Sequence, residues 1–212
     1  MIKIFTIGLL TFANLFFAQT ITFDTFLKYN ITENGERTIL NLVVNSKETQ
    51  NQYALRIDET GNSAHLLYLP NETIYDFSVE NFNSKLNGTQ IQLLNKHKNE
   101  NLAKQFSKEE KNRNFEIEYI PNDNASLETH VKITEKGKFI KNKMASGVFK
   151  LEKNEGNLAS YPLGFIFDMH TIANKLAWKY NSILISGSVK KGAGDLEINL
   201  IEKTPIKLSL EL

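Results

Sequence analysis

The sequence predicts a mainly β protein: a curved antiparallel sheet or open half-barrel of about ten to twelve strands, packed against one α-helix. Two observations support this prediction. Apolar and polar residues alternate along most of the chain, which is typical of strands with one buried face. Gly, Asn and Pro residues separate the alternating segments at intervals of about ten residues, as an antiparallel meander requires. Because the chain has no cysteine, the fold must rest on burial and backbone hydrogen bonds without disulfides.

Residues 1–18 have the features of a secretory signal peptide. Lys3 supplies one positive charge, an apolar run extends to Phe17, and Ala18-Gln19 fits a cleavage point. The apolar run is too short and wrongly flanked for a membrane-spanning helix. We therefore expect a secreted or periplasmic protein that is not transmembrane after signal removal, with residues 19–212 forming a single β-rich domain.

The charge balance excludes one class of partner. Without Lys3 the 25 basic residues become 24, which equals the number of acidic residues. A neutral chain offers no electrostatic footprint for nucleic acid. Lysine supplies 22 of the basic residues and arginine three, so a single lysine carries little information about function.

The first strands are predicted by alternation from Ile21 to Ile31 and from Thr38 to Val44. Asn34-Gly35 lies between them and favours a tight hairpin. Further alternating segments follow at 53–57, 65–69 and 75–79, and Asn87-Gly88 precedes a short predicted strand around 89–94.

Residues 95–113 interrupt this pattern with many charged side chains, and they mark the position of a domain seam if the chain divides. Alternation then resumes in Phe115–Tyr119, Leu127–Ile133 and Gly147–Leu151. A hairpin is predicted around Gly192–Asp195, between strands at 183–189 and 196–200, and a last strand at 206–212.

One segment, about 163–180, changes to a helical period. Apolar residues recur there at steps of three and four, and Pro162 fits the first turn. A helix that is apolar on more than one side must be covered by sheet, by a partner or by ligand. The favoured interpretation is that this helix packs against the sheet. If the curvature of the sheet leaves a space between the two, the same residues would line an apolar pocket. The candidate ligand-binding residues are Phe165, Phe167, Met169, Ile172, Leu176 and Trp178.

The sequence carries no motif that assigns a catalytic, metal or cofactor site. No two histidines have metal-ligand spacing, no Gly-x-Ser-x-Gly elbow occurs, and there is no thiol nucleophile. Glu128 and His130 share a strand face and could form half of a hydrolytic arrangement, but the face also carries Lys132 and Thr134, so a solvated face is the favoured interpretation. His65 is expected to be a core or boundary histidine. One basic cluster remains, formed by Lys132, Lys136, Lys138, Lys141 and Lys143.

We expect a non-enzymatic protein that binds a lipid or other apolar molecule between sheet and helix. The alternative is an envelope protein that docks onto another component through strand edges or the lysine-rich hairpin, and a secreted hydrolase is the third hypothesis. In element order and expected location the chain resembles the periplasmic lipoprotein carriers, which are open half-barrels with a helical lid. The resemblance extends to no sequence motif, so it implies no site residue.

Overall fold

The computed structural model describes residues 20–47, 53–59, 63–68, 73–78, 96–98, 113–121, 128–137, 145–167, 176, 178–191 and 194–211. These residues form eleven strands and one helix. The elements are β1 (Thr20–Glu33), β2 (Glu36–Val44), β3 (Tyr53–Ile57), β4 (Ser63–Tyr68), β5 (Thr73–Ser78), β6 (Lys96–Lys98), β7 (Arg113–Ile120), β8 (Glu128–Gly137), β9 (Ser146–Lys153), α1 (Ser160–Ile166), β10 (Ser182–Lys191) and β11 (Gly194–Glu211).

The eleven strands form one antiparallel sheet in the order β6-β5-β4-β3-β2-β1-β11-β10-β9-β8-β7. Strands β1 to β6 step outward to one edge, and β7 to β11 step back from the other edge. The β1–β11 pair joins these two meanders near the middle of the sheet. The sheet is open and does not close into a barrel, which confirms the predicted mainly β, antiparallel fold with one described helix.

The Asn34-Gly35 turn joins β1 to β2 as predicted. The backbone φ angles are 51° at Asn34 and 88° at Gly35, and the strands pair directly from Glu33 and Glu36 onward. Positive φ at both central residues matches the twist of the flanking strands, and glycine adopts it without steric cost. The Asn34 N–H also donates to the Asp195 carbonyl oxygen at 3.2 Å, which ties this turn to the β10–β11 hairpin.

The sheet buries apolar residues on both faces near β1 and β2, which the sequence analysis did not predict. On β2, Leu42 and Val44 belong to the cluster around the helix, while Val43 belongs to a second cluster. Neighbouring residues of a strand point to opposite faces, so the two clusters lie on opposite sides of the sheet. The second cluster contains Ile21, Phe23, Phe26, Val43, Leu55, Ile57, Ala64, Leu66, Ile206, Leu208 and Leu210.

The predicted helix at 163–180 is correct in existence and wrong in its bounds. Helix α1 begins at Ser160 and ends at Ile166, and Phe167 follows as its C-cap with φ −90° and ψ 6°. Leu176 and residues 178–180 are not helical, while 168–175 and 177 lie outside the described residues. Leu176, Trp178 and Tyr180 are spaced by two residues, so their burial does not require a helix.

The sheet curves around α1. Arg56 on β3 lies over the Phe165 ring, with 4.6 Å from Cζ to the ring centroid. Phe167 packs edge-on against Phe115 on β7, with 5.3 Å between ring centroids. Strands β3 and β7 are seven positions apart in the sheet, which corresponds to roughly 34 Å in a flat sheet at about 4.8 Å per strand. Two residues from the end of one short helix contact both strands because the sheet bends towards the helix.

The predicted leader, residues 1–18, and the predicted strand at 89–94 lie outside the described residues, as does most of the predicted seam. Strand β6 falls within that seam, where no strand was predicted. Strands β6 and β7, on the two sides of the undescribed stretch 99–112, form the two outer edges of the same sheet.

Candidate ligand-binding surface

The structure separates the predicted ligand-binding residues into two groups. Phe167 and Leu176 are buried in the core, whereas Phe165 and Trp178 keep some exposed surface. The other two residues, Met169 and Ile172, lie outside the described residues. Sequence periodicity identified these residues as apolar, but it did not distinguish core residues from those at the core's margin.

The inner face beneath α1 is filled by protein side chains. Leu158, Leu163 and Ile166 are completely or almost completely buried. The Phe167 ring lies 5.3 Å from Phe115 and 6.0 Å from Phe149, in edge-on geometry with both. Such aromatic packing fixes α1 against β7 and β9. A ligand on this face would therefore contact the margin of the core, not the space beneath Phe167.

Four partly buried aromatic residues pack against the core cluster, and we call them the apolar rim: Phe115, Tyr119, Phe165 and Trp178. Phe115 and Tyr119 come from the inner face of β7, where burial alternates residue by residue. All four pack against the core and retain surface that further apolar contact would remove from water.

The segment after α1 is anchored to Tyr119. The Lys179 N–H donates to the Tyr119 hydroxyl at 2.8 Å, and the Lys179 Nζ lies 4.5 Å from the Tyr119 ring centroid. The Tyr180 ring lies 5.6 Å from the same ring. Burial raises the pKa of Tyr119, and the hydrogen bond from Lys179 opposes that effect. Lys179 therefore places an exposed charged side chain beside this part of the rim.

Two polar atoms beside the rim have no partner among the described residues. The Trp178 Nε1 and the Tyr180 hydroxyl are both buried and form no hydrogen bond there. Buried donors are normally satisfied by protein or by ordered water.

Arg56 is a residue of this face that the sequence analysis did not single out. It shares its face with Ala54 of the core, and its cross-strand neighbours are Leu42 on β2 and His65 on β4. His65 is half-buried, as a boundary histidine should be. The one signal that could have identified Arg56 is the scarcity of arginine, with three in the chain.

A groove of about 320 Å³ lies on the opposite, outer face of the sheet. It forms beside Gly187, where the β9–β10 register shifts between Leu184 and Ser186. Its lining is mainly polar, so it suits an apolar ligand less well than the rim does. The lining residues are His130, Val148, Phe149, Lys150, Ser186, Gly187, Ser188, Glu197 and Asn199.

His130 lines this groove without forming a hydrogen bond to Ser186 or Ser188 among the described residues. The side chain of Glu128 lies outside those residues, so the hydrolytic pair stays a prediction. In the basic cluster, Lys132 and Lys136 are exposed, and Lys136 forms an ion pair with Glu116. The remaining lysines of that cluster, at 138, 141 and 143, lie outside the described part of the chain.

No known protein-family model matches the sequence, and no curated protein has a similar sequence. Within the described ranges, no helix has the length and hydropathy needed to cross a membrane. The same ranges contain no group of three or more His, Cys, Asp or Glu arranged to hold a metal ion.

Proposed function

We propose that this chain is a non-enzymatic, secreted or periplasmic protein that binds a hydrophobic or amphipathic ligand on the inner face of its curved sheet, beside α1. The observation that carries this proposal is the apolar rim. Phe115, Tyr119, Phe165 and Trp178 are packed against the core but not enclosed by it. Ligand sites combine such apolar surface with a few polar groups that fix orientation.

The rim provides both kinds of contact. Complete burial of an aromatic side chain contributes roughly 1.5–3 kcal/mol relative to exposure, so the remaining exposed part of four such residues is a source of binding free energy. The exposed Lys179, whose Nζ lies 4.5 Å from the Tyr119 ring centroid, supplies a polar group beside them. The signal-like pattern of residues 1–18 supports the proposed location outside the cytosol.

The single tryptophan of the chain makes this proposal directly testable, because Trp178 belongs to the rim. Protein purified from its native host should release lipid on solvent extraction, detected by mass spectrometry, and its intact mass should match a chain that begins at Gln19. After delipidation, dibromostearate and dibromostearyl alcohol should quench Trp178 fluorescence in a saturable manner, because bromine quenches an indole on close approach.

A matched pair of variants tests the position of binding. Phe165→Ser removes rim surface and should weaken both amphiphiles by roughly tenfold, since about 1.4 kcal/mol of apolar contact corresponds to a factor of ten. Val148→Ser removes exposed apolar surface from the outer face, where Val148 is 44% exposed, and should leave binding unchanged. If neither amphiphile quenches Trp178, or if both substitutions weaken binding equally, the proposed function is contradicted.

The alternative of a docking protein is favoured by one observation at the sheet edges. The edge strand β6 has three residues and carries Lys96 and Lys98, which are common protections against unwanted pairing. The other edge strand, β7, pairs with β8 without a bulge from Arg113 to Ile120 and contains no proline or lysine. If β7 docks onto another protein, hydrogen exchange of its amides should slow when envelope proteins of the native host are added. Unchanged exchange would dismiss this alternative.

A further inference from the structure

The three arginines of the chain differ in how their charge is satisfied. Arg113 donates to both carboxylate oxygens of Glu135, at 2.7 and 3.2 Å. Arg37 is exposed and hydrogen bonds to the Asn30 side chain. Arg56 is half-buried, and its one interaction among the described residues is with the Phe165 ring. Glu59, which lies beyond the end of β3, accepts the Ile39 N–H through its Oε1.

Partial burial of a guanidinium without a carboxylate is unfavourable. Withdrawal from water lowers the pKa of Arg56, as burial of a cation does. The contact with the Phe165 ring offsets part of this cost, and no carboxylate among the described residues accepts from the five N–H donors of the guanidinium. An anion bound at this point would restore the missing interaction, and the planar guanidinium suits carboxylate and phosphate oxygens.

The surroundings of Arg56 indicate what else the ligand carries. Leu42 and Ala54 are buried beside it, and Phe165 covers one side of the guanidinium. A small, strongly hydrated anion would lose water against this apolar lining. An amphiphile would direct its charged end to Arg56 and its hydrocarbon chain along Phe165 and the rest of the rim.

We propose that Arg56 binds the anionic headgroup, carboxylate or phosphate, of an amphiphile whose hydrocarbon chain lies on the apolar rim. This inference rests on the proposed function, and it adds the class of ligand. Phe165 has two roles in this arrangement, because one part of its ring contacts the guanidinium and the remainder contacts the hydrocarbon chain.

The test compares the two brominated probes, which share a hydrocarbon chain and differ in headgroup charge. At a pH where the carboxyl group is ionised, the wild-type protein should bind dibromostearate roughly ten- to a hundredfold more tightly than dibromostearyl alcohol, as expected for a charge-assisted hydrogen bond. Arg56→Gln should bring this ratio close to one by weakening binding of the acid alone. Arg56→Lys should retain part of the preference, because an ammonium group keeps the charge and loses the bidentate geometry.

Three controls test whether the guanidinium of Arg56 itself sets the preference for the acid. Arg37→Gln removes an exposed arginine and should leave the ratio unchanged. Arg56→Met also removes the guanidinium but keeps the apolar stem, and circular dichroism should show that it folds. It therefore replaces Arg56→Gln in the comparison if that variant has a folding defect. Inorganic phosphate should not displace bound dibromostearate, and displacement would show a site for free anions instead.

The outcomes distinguish two failures. If both probes quench Trp178 with equal affinity, the inference about Arg56 is wrong and the proposed function stands. If neither probe quenches Trp178, the proposed function itself is wrong.

Discussion

Replacement of Gly187 by alanine is expected to destabilise the protein through its core. Gly187 on β10 lies directly across from Phe149 on β9, and Phe149 is completely buried. A Cβ at position 187 would overlap the Phe149 Cδ1 atom and lie 2.9 Å from Cε1 and 3.0 Å from the Val148 carbonyl oxygen. The added methyl group therefore meets a ring on one side and backbone on the other.

The size of the effect follows from how little Phe149 can move. Its ring packs against Phe167, with 6.0 Å between centroids, and a Cβ at Gly147 would lie 2.7 Å from two of its atoms. Overpacking of a well-packed core costs about 1–3 kcal/mol. For a chain of this length each kcal/mol lowers Tm by roughly 2–4 °C, so Gly187→Ala should lower Tm by roughly 2–12 °C. Urea unfolding and a thermal melt, both followed by circular dichroism, measure the change.

A double-mutant cycle shows whether the Phe149 ring is responsible. Phe149→Leu removes the ring and destabilises by itself, but it also makes room for the new methyl group. The double variant Gly187→Ala/Phe149→Leu should therefore be more stable than the sum of the single effects by more than about 0.5 kcal/mol. A Gly187→Ala protein with wild-type stability, or strictly additive effects, would refute this reasoning.

Two other side chains give predictions about stability. Tyr29→Phe removes a buried hydrogen bond of 3.0 Å to the Leu184 carbonyl oxygen, so the free energy of unfolding in urea should fall by about 0.5–1.5 kcal/mol at neutral pH. Burial raises the pKa of the Tyr29 hydroxyl above its unfolded value. The contribution of the neutral hydroxyl to stability is therefore fully present below about pH 10 and is lost as the pH rises further. Over that alkaline range, Tyr29→Phe should lose less stability than the wild type. Arg113→Met leaves the largely buried Glu135 carboxylate without its partner, and should cost about 1–3 kcal/mol in urea unfolding. The added change Glu135→Leu should recover part of that loss, and no recovery would show that the pair is not the cause.

The sequence predicted the elements whose patterns are local. Alternation from Ile21 to Ile31 identified β1, and Asn34-Gly35 identified the first hairpin, because side-chain direction and turn geometry are set by neighbouring residues. The segments at 53–57 and 115–119 also correspond to strands β3 and β7.

The second apolar cluster was missed because the alternating residues were assigned to a single core, although two members of this cluster interrupt the alternation. Phe26 and Val43 are apolar at positions where alternation predicts solvent, and both are fully or almost fully buried. Such residues were available as a signal, because a strand covered on both faces reads as a continuous apolar run. What covers the second face depends on how β11 and β4 are placed, which no local pattern shows.

The helix bounds failed for a different reason. In a short apolar stretch, the strand spacing of two residues and the helical spacing of three or four select overlapping sets of residues. Leu176 and Trp178 therefore fit both patterns. Arg56 was missed because an arginine between two apolar residues of a strand reads as solvent-exposed. It faces the core margin here because the sheet curves far enough for α1 to reach β3.

The β1–β11 pair joins the two meanders into one sheet, and it brings together strands from opposite ends of the described chain. Thr20 pairs with Glu211, and β11 alone connects β1 to β10 among the described strands. Non-local pairing of this kind slows folding, because a long loop of chain must be ordered before the contact forms. Until the last strand is synthesised, the two meanders share no border, and each has an additional unpaired edge. A polypeptide truncated before Gly194 would thus be two disconnected half-sheets prone to aggregate, not a shortened version of the protein.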